Sequence, residues 1–239
     1  RSCSGQSSPG QIITDKNMRL PVWRQAHLLE ENIQMKDKII TAKEAAAMIP
    51  DGATVMVGGF MANGTPELIM DALVERNAKD LTVMCNDGGF GPAFDEEGKE
   101  VTPPRGNGKL IKNHSVKHLY ATHIGLNKQV AEQMNDGSME VTLIPQGSMV
   151  EMIRAGGAGL GGVLTPTGIG TDIAEGKEIY NIDGKDFMLE KPLHADFAVL
   201  RGNIVDKKGN VFYKGTTKNF QVAMATAADT VIVEAEKIV

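Results

Sequence analysis

The sequence predicts an α/β fold: an open, mainly parallel sheet with helices on both faces and a more β-rich C-terminal part. Short apolar runs such as Thr54–Val57 and Leu81–Cys85 lack polar alternation, which is typical of strands covered on both faces. Several of these runs lead through a turn into a helical segment, and repeated strand–turn–helix units favour a parallel sheet. After residue 178 the pattern changes to extended segments with turns at Asp183-Gly184 and 208–210, which are typical of hairpins.

The helices are predicted from capping signals. Thr41 and Glu44 form a capping box before an alanine-rich run, and Asn127 is a candidate N-cap. Thr65 is predicted to cap the helix after the first long strand, with Pro66 in its first turn. Residues 148–151 form a second capping box, and the helix that it opens is expected to stop at 156–157. Further strands are expected at Val116–Thr122, Glu140–Ile144, Glu178–Leu189, Asp196–Leu200, Val211–Tyr213 and Thr230–Val233.

Residues 35–239 are predicted to form a single domain, which is an ordinary size for an α/β protein within a chain of 239 residues. Residues 1–34 are predicted to be a flexible or artificially added extension, because 1–17 are polar and lack periodicity. A genuine N-terminal arm, with an amphipathic helix over 21–34, is the alternative.

Composition narrows the function. A net charge of −5 disfavours a nucleic-acid surface or a polybasic membrane patch, and no apolar run is long enough for a membrane span. Cys3 and Cys85 make neither a disulfide framework nor a metal site, and Cys85 is expected to be a buried thiol. We therefore expect a cytoplasmic protein without a metal, a nucleic-acid partner or a membrane partner.

A glycine-rich turn follows the strand Thr54–Val57 directly. We call it the glycine loop; it comprises Gly58, Gly59, Phe60, Met61, Ala62, Asn63 and Gly64. Glycines at its two ends are expected to take positive φ and to let the backbone approach a ligand, while the N–H groups of the following helix would favour an anion or a polarised carbonyl. The spacing differs from the dinucleotide fingerprint, and no Lys-Ser/Thr pair follows as in a P-loop. A plain strand–helix turn without a ligand is the alternative.

Ligands of open parallel sheets bind at the carboxyl ends of the strands. Three turns fall at such ends and are expected to lie together: 58–64, 86–89 and 146–148. The polar stretch 88–113 between two strands is long enough to be functional or mobile.

The segment Asp51–Pro66 resembles the first motif of family I coenzyme A transferases, D-G-x-x-(three apolar)-G-G-F-x-x-x-G-x-P, at every fixed position. The resemblance extends over about residues 36–239 and is strongest to α subunits of the acetate, acetoacetate and butyrate type. Its later landmarks are Pro145–Gly147, Ile153–Gly159, Thr165–Thr171, Leu189-Glu190, Ala195–Ala198, Gly209-Asn210, Asn219-Phe220 and Thr230–Glu234.

This resemblance implies an enzyme subunit that works with a β subunit, in an α2β2 assembly. The nucleophilic glutamate of the family lies in a Ser-Glu-Asn-Gly motif of the β subunit, and this chain has no such motif. The family moves CoA between a short-chain acyl-CoA and a carboxylic acid by a ping-pong mechanism, so the CoA thioester is a substrate and no tightly bound cofactor is expected.

The resemblance also assigns residues. The glycine loop corresponds to the CoA-binding segment, Asn86 to an oxyanion donor, and Gln146 to a glutamine beside the catalytic carboxylate. Each has a structural alternative: Asn86 as a turn residue and Gln146 as a helix-entry residue. His123 stands either in the cleft or in a structural role, and Arg154 either pairs with an anion or lies on a solvated helix face.

Two other functions are alternatives to a CoA-transferase subunit. A non-catalytic effector-binding α/β module is the main alternative, although this chain lacks the basic face and DNA-binding helix-turn-helix expected of it. A nucleotide-dependent oxidoreductase is disfavoured by the glycine spacing. The stretch 88–113 is longer than the usual connection in the family, so the acyl group cannot be inferred from the resemblance.

Overall fold

The computed structural model describes residues 11–15 and 38–239. The predicted helix over 21–34 lies outside these ranges, and the boundary of the domain at residue 35 stays a prediction. Within the predicted extension, the described residues Gln11–Asp15 form a strand that pairs antiparallel with a C-terminal strand. None of the helices in the two described ranges is long and apolar enough to span a membrane.

The elements are named in chain order. The strands are β1 (Gln11–Asp15), β2 (Ile39–Ile40), β3 (Thr54–Val57), β4 (Leu81–Cys85), β5 (Ala93–Phe94), β6 (Glu100–Thr102), β7 (Val116–Ala121), β8 (Glu140–Leu143), β9 (Val163–Thr165), β10 (Ile179–Ile182), β11 (Lys185–Glu190), β12 (Ala195–Val205), β13 (Val211–Phe212) and β14 (Ala228–Ile238). The helices are α1 (Ala42–Met48), α2 (Glu67–Glu75), α3 (Gly108–Lys112), α4 (Lys128–Asn135), α5 (Gln146–Ala158) and α6 (Gln221–Met224).

The main sheet has the strand order β2-β1-β14-β12-β3-β4-β7-β8. Strands β14, β12, β3, β4, β7 and β8 are mutually parallel, whereas β1, β2 and β13 add antiparallel pairs. From β3 the chain proceeds outward through β4, β7 and β8, and the late strands β12 and β14 fill the other side. The order therefore reverses at β3, which makes the carboxyl end of β3 a switch point.

Two hydrophobic clusters lie on opposite faces of this sheet. In β3 the side chains of Val55 and Val57 join one cluster and that of Met56 joins the other, as the alternation of a strand requires. Residues of α1 to α4 pack in the first cluster, and residues of α5 and α6 pack in the second. The predicted open sheet with helices on both faces is confirmed.

The β-rich C-terminal part is also confirmed. Strands β9, β10 and β11 form a separate antiparallel sheet, in which Asp183 and Gly184 make the predicted hairpin turn with φ of 52° and 79°. The second predicted turn joins β12 to β13. The late strands are longer than predicted, because β12 and β14 pair along almost their whole lengths.

Two of the four helix N-caps predicted from the sequence are confirmed. The capping box of Thr41 and Glu44 and the N-cap of Asn127 are confirmed. The predicted cap at Thr65 is wrong: α2 begins at Glu67 after Pro66, and the buried Thr65 side chain lies against the glycine loop instead.

The second predicted capping box is wrong as well. Helix α5 begins at Gln146, three residues before the start that an N-cap at Ser148 predicts, so Ser148 falls inside its first turn. The helix also runs past Gly156 and Gly157 and ends at Ala158, with Gly159 as its C-cap at a φ of 70°. The two glycines permit close packing: a Cβ on Gly156 would lie 2.0 Å from the carbonyl oxygen of Leu193.

The start of α2 is capped by a residue far away in the sequence. The Glu234 carboxylate, on β14, accepts hydrogen bonds from the backbone N–H of Leu68 at 2.8 Å and of Ile69 at 3.3 Å. Arg201 lies 3.7 Å from the other carboxylate oxygen. Two of the four N–H groups that a helix start leaves unpaired are therefore already occupied.

We expect Glu234→Ala to lower the free energy of unfolding by about 1–3 kcal/mol, because it leaves these helix N–H groups without an acceptor. Chemical denaturation of the purified chain measures this. Glu236→Ala is the matched control, since Glu236 lies two residues further along β14, is exposed, and bonds only to the Asn203 side chain in the described contacts. Equal effects of the two substitutions would contradict the capping role.

The same carboxyl predicts a pH dependence. Burial raises the pKa of Glu234 above its ordinary value of 4.5. A raised pKa in the folded state means that the stability contributed by this group is complete below the unfolded value and is lost as pH rises through the folded value. Relative to Glu234→Gln, the native chain should thus lose stability as pH rises above 4.5, and a pH-independent difference between the two would contradict this.

Candidate active site

The glycine loop turns back on itself immediately after β3. Phe60 and Asn63 exchange two backbone hydrogen bonds, of 3.0 and 2.9 Å, around the tip residues Met61 and Ala62. Both tip residues have positive φ, 49° and 59°, which is unfavourable for residues with a side chain. The strained conformation is therefore in the tip, where the sequence has no glycine.

The positive φ predicted for the glycines at the ends of the loop is found at two of the three positions. Gly59 and Gly64 have the expected positive φ, 125° and 78°. Gly58 does not; it is needed because a Cβ there would lie 2.2 Å from Oε1 of Gln221.

Two amide side chains from the C-terminal part hold the loop. Gln221, which is fully buried, donates to the Gly64 carbonyl oxygen at 2.6 Å. Asn219 accepts from the Gly59 N–H at 3.2 Å and donates to the Asn63 carbonyl oxygen at 3.1 Å. Both ends of the loop are therefore tied to side chains of the C-terminal part. Neither contact has a local signal in the sequence.

The predicted anion site at the start of α2 is not supported in its simple form. Glu234 already occupies the N–H groups of Leu68 and Ile69. The Glu67 carboxylate lies at the same helix end, where it accepts from the Gly106 N–H and pairs with Lys109 at 2.7 Å. An incoming anion would meet two carboxylates there.

The three turns that were expected to lie together do meet at the carboxyl ends of the strands. A cleft of about 510 Å³ opens between the ends of β3, β4, β7 and β8. Its lining residues are Phe60, Met61, Asn86, Asp87, Thr122, His123, Leu126 and Gln146. This volume is in the range of ordinary small-molecule sites.

Asn86 follows β4 and is almost fully buried beneath the cleft. Its carbonyl oxygen Oδ1 accepts from Nε2 of Gln146 at 2.5 Å and from the Thr122 hydroxyl at 3.2 Å. Its amide nitrogen donates to Oδ2 of Asp87 at 2.9 Å. The two ends of the side-chain amide are thus distinguished by their partners. Asn86 and Gln146, predicted separately from two turns, form one hydrogen-bonded pair.

Asp87 is the residue of this site that sequence reasoning missed. Besides the Asn86 amide, its carboxylate accepts from the N–H of Met61 at 2.7 Å and from the N–H of Gly89 at 3.0 Å. It is 4% exposed. In the sequence, Asp87 belongs to an Asn-Asp-Gly-Gly pattern that predicts a turn. No feature of that pattern indicates a contact with Met61, 26 residues earlier.

The structure distinguishes between the alternative interpretations of His123 and Arg154 and shows the environment of Cys85. His123 is exposed and lines the cleft, which favours the first of its two interpretations. Arg154 is exposed and pairs with Glu151 one helical turn away at 3.0 Å, so it lies on a solvated helix face. Cys85 is buried as predicted, and burial raises the pKa of its thiol well above the ordinary value, so this sulfur stays protonated.

The long stretch 88–113 is more ordered than predicted. Phe90 and Arg105 exchange backbone hydrogen bonds of 3.1 and 3.0 Å that close its base, and the short strands β5 and β6 pair beyond them. Asn107 ties the base to the site by donating to the Asp87 carbonyl oxygen at 2.9 Å. None of the residues 88–113 lines the cleft.

Comparisons with known proteins agree with this architecture. The model of the coenzyme A transferase family matches residues 39–239. The chain is 49% identical over 205 residues to the acetoacetyl-CoA:acetate/butyrate CoA transferase alpha subunit of Clostridium acetobutylicum, a match that covers 86% of this chain and 88% of that protein. It is 43% identical over 205 residues to the acetate CoA-transferase subunit alpha of Escherichia coli, with the same coverage of both.

A solved structure shows the same fold. An acyl-CoA transferase from Escherichia coli O157:H7 superposes with a TM-score of 0.69 at 20% identity. The match covers 84% of this chain but 44% of that one, so that transferase chain contains a further portion of comparable size.

An α/β sheet with a switch-point cleft, a braced glycine loop and the first motif of the family all point to a transferase of the class EC 2.8.3. The chain belongs to the coenzyme A transferase family, and the predicted resemblance to its α subunits is confirmed by the relatives. The alternative of a non-catalytic effector-binding module is not favoured.

Proposed function

We propose that this chain is the α subunit of a CoA-transferase that moves CoA between a short-chain acyl-CoA and a carboxylic acid of the acetate, acetoacetate or butyrate type. The acids named for the two relatives support this range. The partner is a β subunit that carries the nucleophilic glutamate in a Ser-Glu-Asn-Gly motif, and the assembly is α2β2. The compartment that we propose is the cytoplasm.

The observation that carries the proposal is the composition of the cleft. It offers side-chain amides from Asn86 and Gln146, but the only carboxylate among its lining residues in the described part of the chain is Asp87. Asp87 is buried and already accepts three hydrogen bonds, which makes it a poor nucleophile. The cleft thus has the donors for an oxyanion and lacks a free carboxylate to attack a thioester.

The chemistry divides accordingly between the two chains. The partner's glutamate attacks the thioester carbonyl and forms a tetrahedral oxyanion, which collapses to an acyl–glutamyl anhydride and expels CoA thiolate. The thiolate then attacks the glutamyl carbonyl, which releases the first carboxylic acid and leaves a glutamyl-CoA thioester. The second acid takes CoA by the reverse sequence, so the kinetics are ping-pong.

In this scheme Asn86 stabilises the oxyanion. Its Nδ2 carries two hydrogens, and Asp87 accepts one of them. The other is the donor that we assign to the negative oxygen of the tetrahedral intermediate. Gln146 holds Oδ1 of the same amide and lies at the cleft edge, where it can contact the incoming glutamate.

The glycine loop is the segment that we assign to CoA. The loop presents Phe60 and Met61, which are each 40% exposed, at the mouth of the cleft. Apolar side chains in this position suit the thin, largely uncharged arm of CoA next to the thioester. The CoA thioester is a substrate here, and no tightly bound cofactor is part of the scheme.

The need for a partner is supported by exposed apolar surface outside the cleft. In the described residues, the small sheet exposes Leu164 on β9 and Ile179, Tyr180 and Ile182 on β10, each by 42–45%. Exposed large apolar groups in one region are typical of an interaction surface.

We expect Gly59→Ala to raise the Michaelis constant for acyl-CoA by about tenfold, equivalent to about 1.4 kcal/mol. The added Cβ would lie 2.2 Å from Oγ1 of Thr65, so the loop has to shift. Steady-state kinetics of the assembled enzyme measure this. Gly52→Ala is the control, since Gly52 also has positive φ but a Cβ there meets nothing within 4 Å. An unchanged Michaelis constant in folded Gly59→Ala enzyme would remove the loop assignment.

We expect Asn86→Ala to lower kcat by about 10²–10³-fold, the usual effect of removing one oxyanion donor. Asn210→Ala is the matched control, because Asn210 also donates to an aspartate, Asp206, at 2.8 Å, but in an exposed hairpin. Turnover of Asn86→Ala within a fewfold of the native rate would return Asn86 to the role of a turn residue.

We expect the isolated chain to be inactive. Borohydride reduces a glutamyl-CoA thioester to the side-chain alcohol and releases CoA as the thiol. Incubation with acyl-CoA and borohydride, followed by mass spectrometry, should show no such alcohol on this chain. Addition of the partner subunit should produce it at the partner's Ser-Glu-Asn-Gly glutamate together with acyl exchange. Reduction at any residue of this chain, or exchange without the partner, would show that the proposed division of labour is wrong.

The predicted link between the stretch 88–113 and acid preference stays a proposal. None of its residues lines the cleft of this chain, so the stretch would act either through its anchorage at Asp87 or through a contact formed in the assembly.

A further inference from the structure

We propose that Asp87 is a positioning residue, which orients the Asn86 amide and holds the tip of the glycine loop in register with it. The inference rests on the oxyanion role proposed for Asn86. Asp87 acts through two neighbours that belong to different strand ends, and it is assigned no contact with the reacting atoms.

The geometry of the carboxylate is the first argument. Oδ2 accepts from the Met61 N–H at 2.7 Å and from Nδ2 of Asn86 at 2.9 Å, and Oδ1 accepts from the Gly89 N–H at 3.0 Å. Hydrogen bonds to an ionised acceptor are short and strong, particularly for a group that is only 4% exposed. A single oxygen therefore joins the loop after β3 to the side chain after β4.

Asp87 also sets the orientation of the Asn86 amide. A side-chain amide can be rotated by 180° with little change in shape, which exchanges its donor and acceptor ends. In the rotated form, Oδ1 of Asn86 would face the Asp87 carboxylate and Nδ2 would face the amide of Gln146. The Gln146 amide can rotate in turn and accept, but a carboxylate offers only acceptors, so the contact with Asp87 would be repulsive. Asp87 thus selects the orientation that keeps an N–H available for an oxyanion.

Asp87 also holds the loop tip. Met61 and Ala62 have φ of 49° and 59°, a conformation that residues with a Cβ adopt at a penalty. The N–H of Met61 is fixed by Asp87, whereas Asn219 and Gln221 hold the two ends of the loop. Within the described contacts, the Asn63 amide reaches the Met61 carbonyl oxygen only at 3.5 Å, so the 2.7 Å bond from Asp87 is the shorter of the two side-chain bonds to the tip.

The test is a double-mutant cycle with Asn86→Ala and Asp87→Asn in enzyme assembled with its partner subunit. We expect Asp87→Asn alone to lower kcat by about 10–100-fold, the range expected from misplaced catalytic groups. In the Asn86→Ala background the same change should lower kcat by less than about twofold, because the amide that Asp87 orients is absent, whereas release of the Met61 N–H should still raise the Michaelis constant for acyl-CoA.

Asp206→Asn is the matched control. Asp206 accepts from the N–H groups of Lys208 and Asn210, each at 2.9 Å, and from the Asn210 amide at 2.8 Å, in a hairpin away from the cleft lining. It repeats the contacts of Asp87 without the site, so kcat should stay at the native value. Melting temperatures of all variants are recorded, since a purely structural Asp87 would lower stability while kcat per folded enzyme stayed native.

The outcomes distinguish failure of the positioning role of Asp87 from failure of the oxyanion role of Asn86. If Asn86→Ala lowers kcat and Asp87→Asn multiplies that loss by its full single-variant factor, the positioning role is overturned while the proposed function stands. If Asn86→Ala has native turnover, the oxyanion assignment fails and the positioning role with it.

Should Asp87→Asn fail to assemble, Asp87→Glu replaces it in the cycle. This variant keeps the negative charge but displaces the carboxylate by one methylene. We expect a reduced kcat that again disappears in the Asn86→Ala background, and native kcat in Asp87→Glu would overturn the inference.

Discussion

The contact between Asp87 and the N–H of Met61 joins two strand ends that the parallel sheet only brings near each other. Parallel strands place their carboxyl ends at one edge, but the loops that follow are free to diverge unless something ties them. Here one buried carboxylate ties the glycine loop, the Asn86 amide and the start of the stretch 88–113. The cleft between β3, β4, β7 and β8 depends on this tie, since its polar residue Asn86 and its apolar residues Phe60 and Met61 belong to different loops.

The same sheet edge shows how a helix start can be used for stability instead of ligand binding. The N–H groups of Leu68 and Ile69 are occupied by Glu234 from β14, and Glu67 adds a second carboxylate. A glycine-rich turn before a helix is commonly associated with phosphate binding. In this chain the helix end is closed by its own side chains, and the loop tip faces the cleft. An anion on the axis of α2 would therefore meet two carboxylates and not a set of unpaired N–H groups.

Much of this could be predicted from local sequence. The apolar runs gave β3 and β4 because an unbroken run is the pattern of a strand buried on both faces. The turns that contain Asn86 and Gln146 were predicted to meet because both follow strands and parallel strands end at one edge, whereas the two residues themselves were assigned by the resemblance to coenzyme A transferases. The residues that were missed act at long range: Glu234, Asn219 and Gln221 each hold a backbone group roughly 157–166 residues away in sequence. A capping preference such as that of Thr65 is a short-range tendency, and a tertiary contact of this kind overrides it.

The bracing of the glycine loop has a consequence for how the protein is made. The loop is synthesised 160 residues before Asn219, its partner at Gly59. At about 5–20 residues per second, these two groups are separated by about 8–30 seconds of translation. Throughout this interval the strained turn at Met61 and Ala62 lacks the contacts of the C-terminal part, and the buried amide of Gln221 is not yet in place beside Gly58. The glycine loop near the N-terminus is therefore completed only when the C-terminal part has folded onto β3, so a nascent chain that stalls before α6 would have most of its sheet strands but not an assembled cleft.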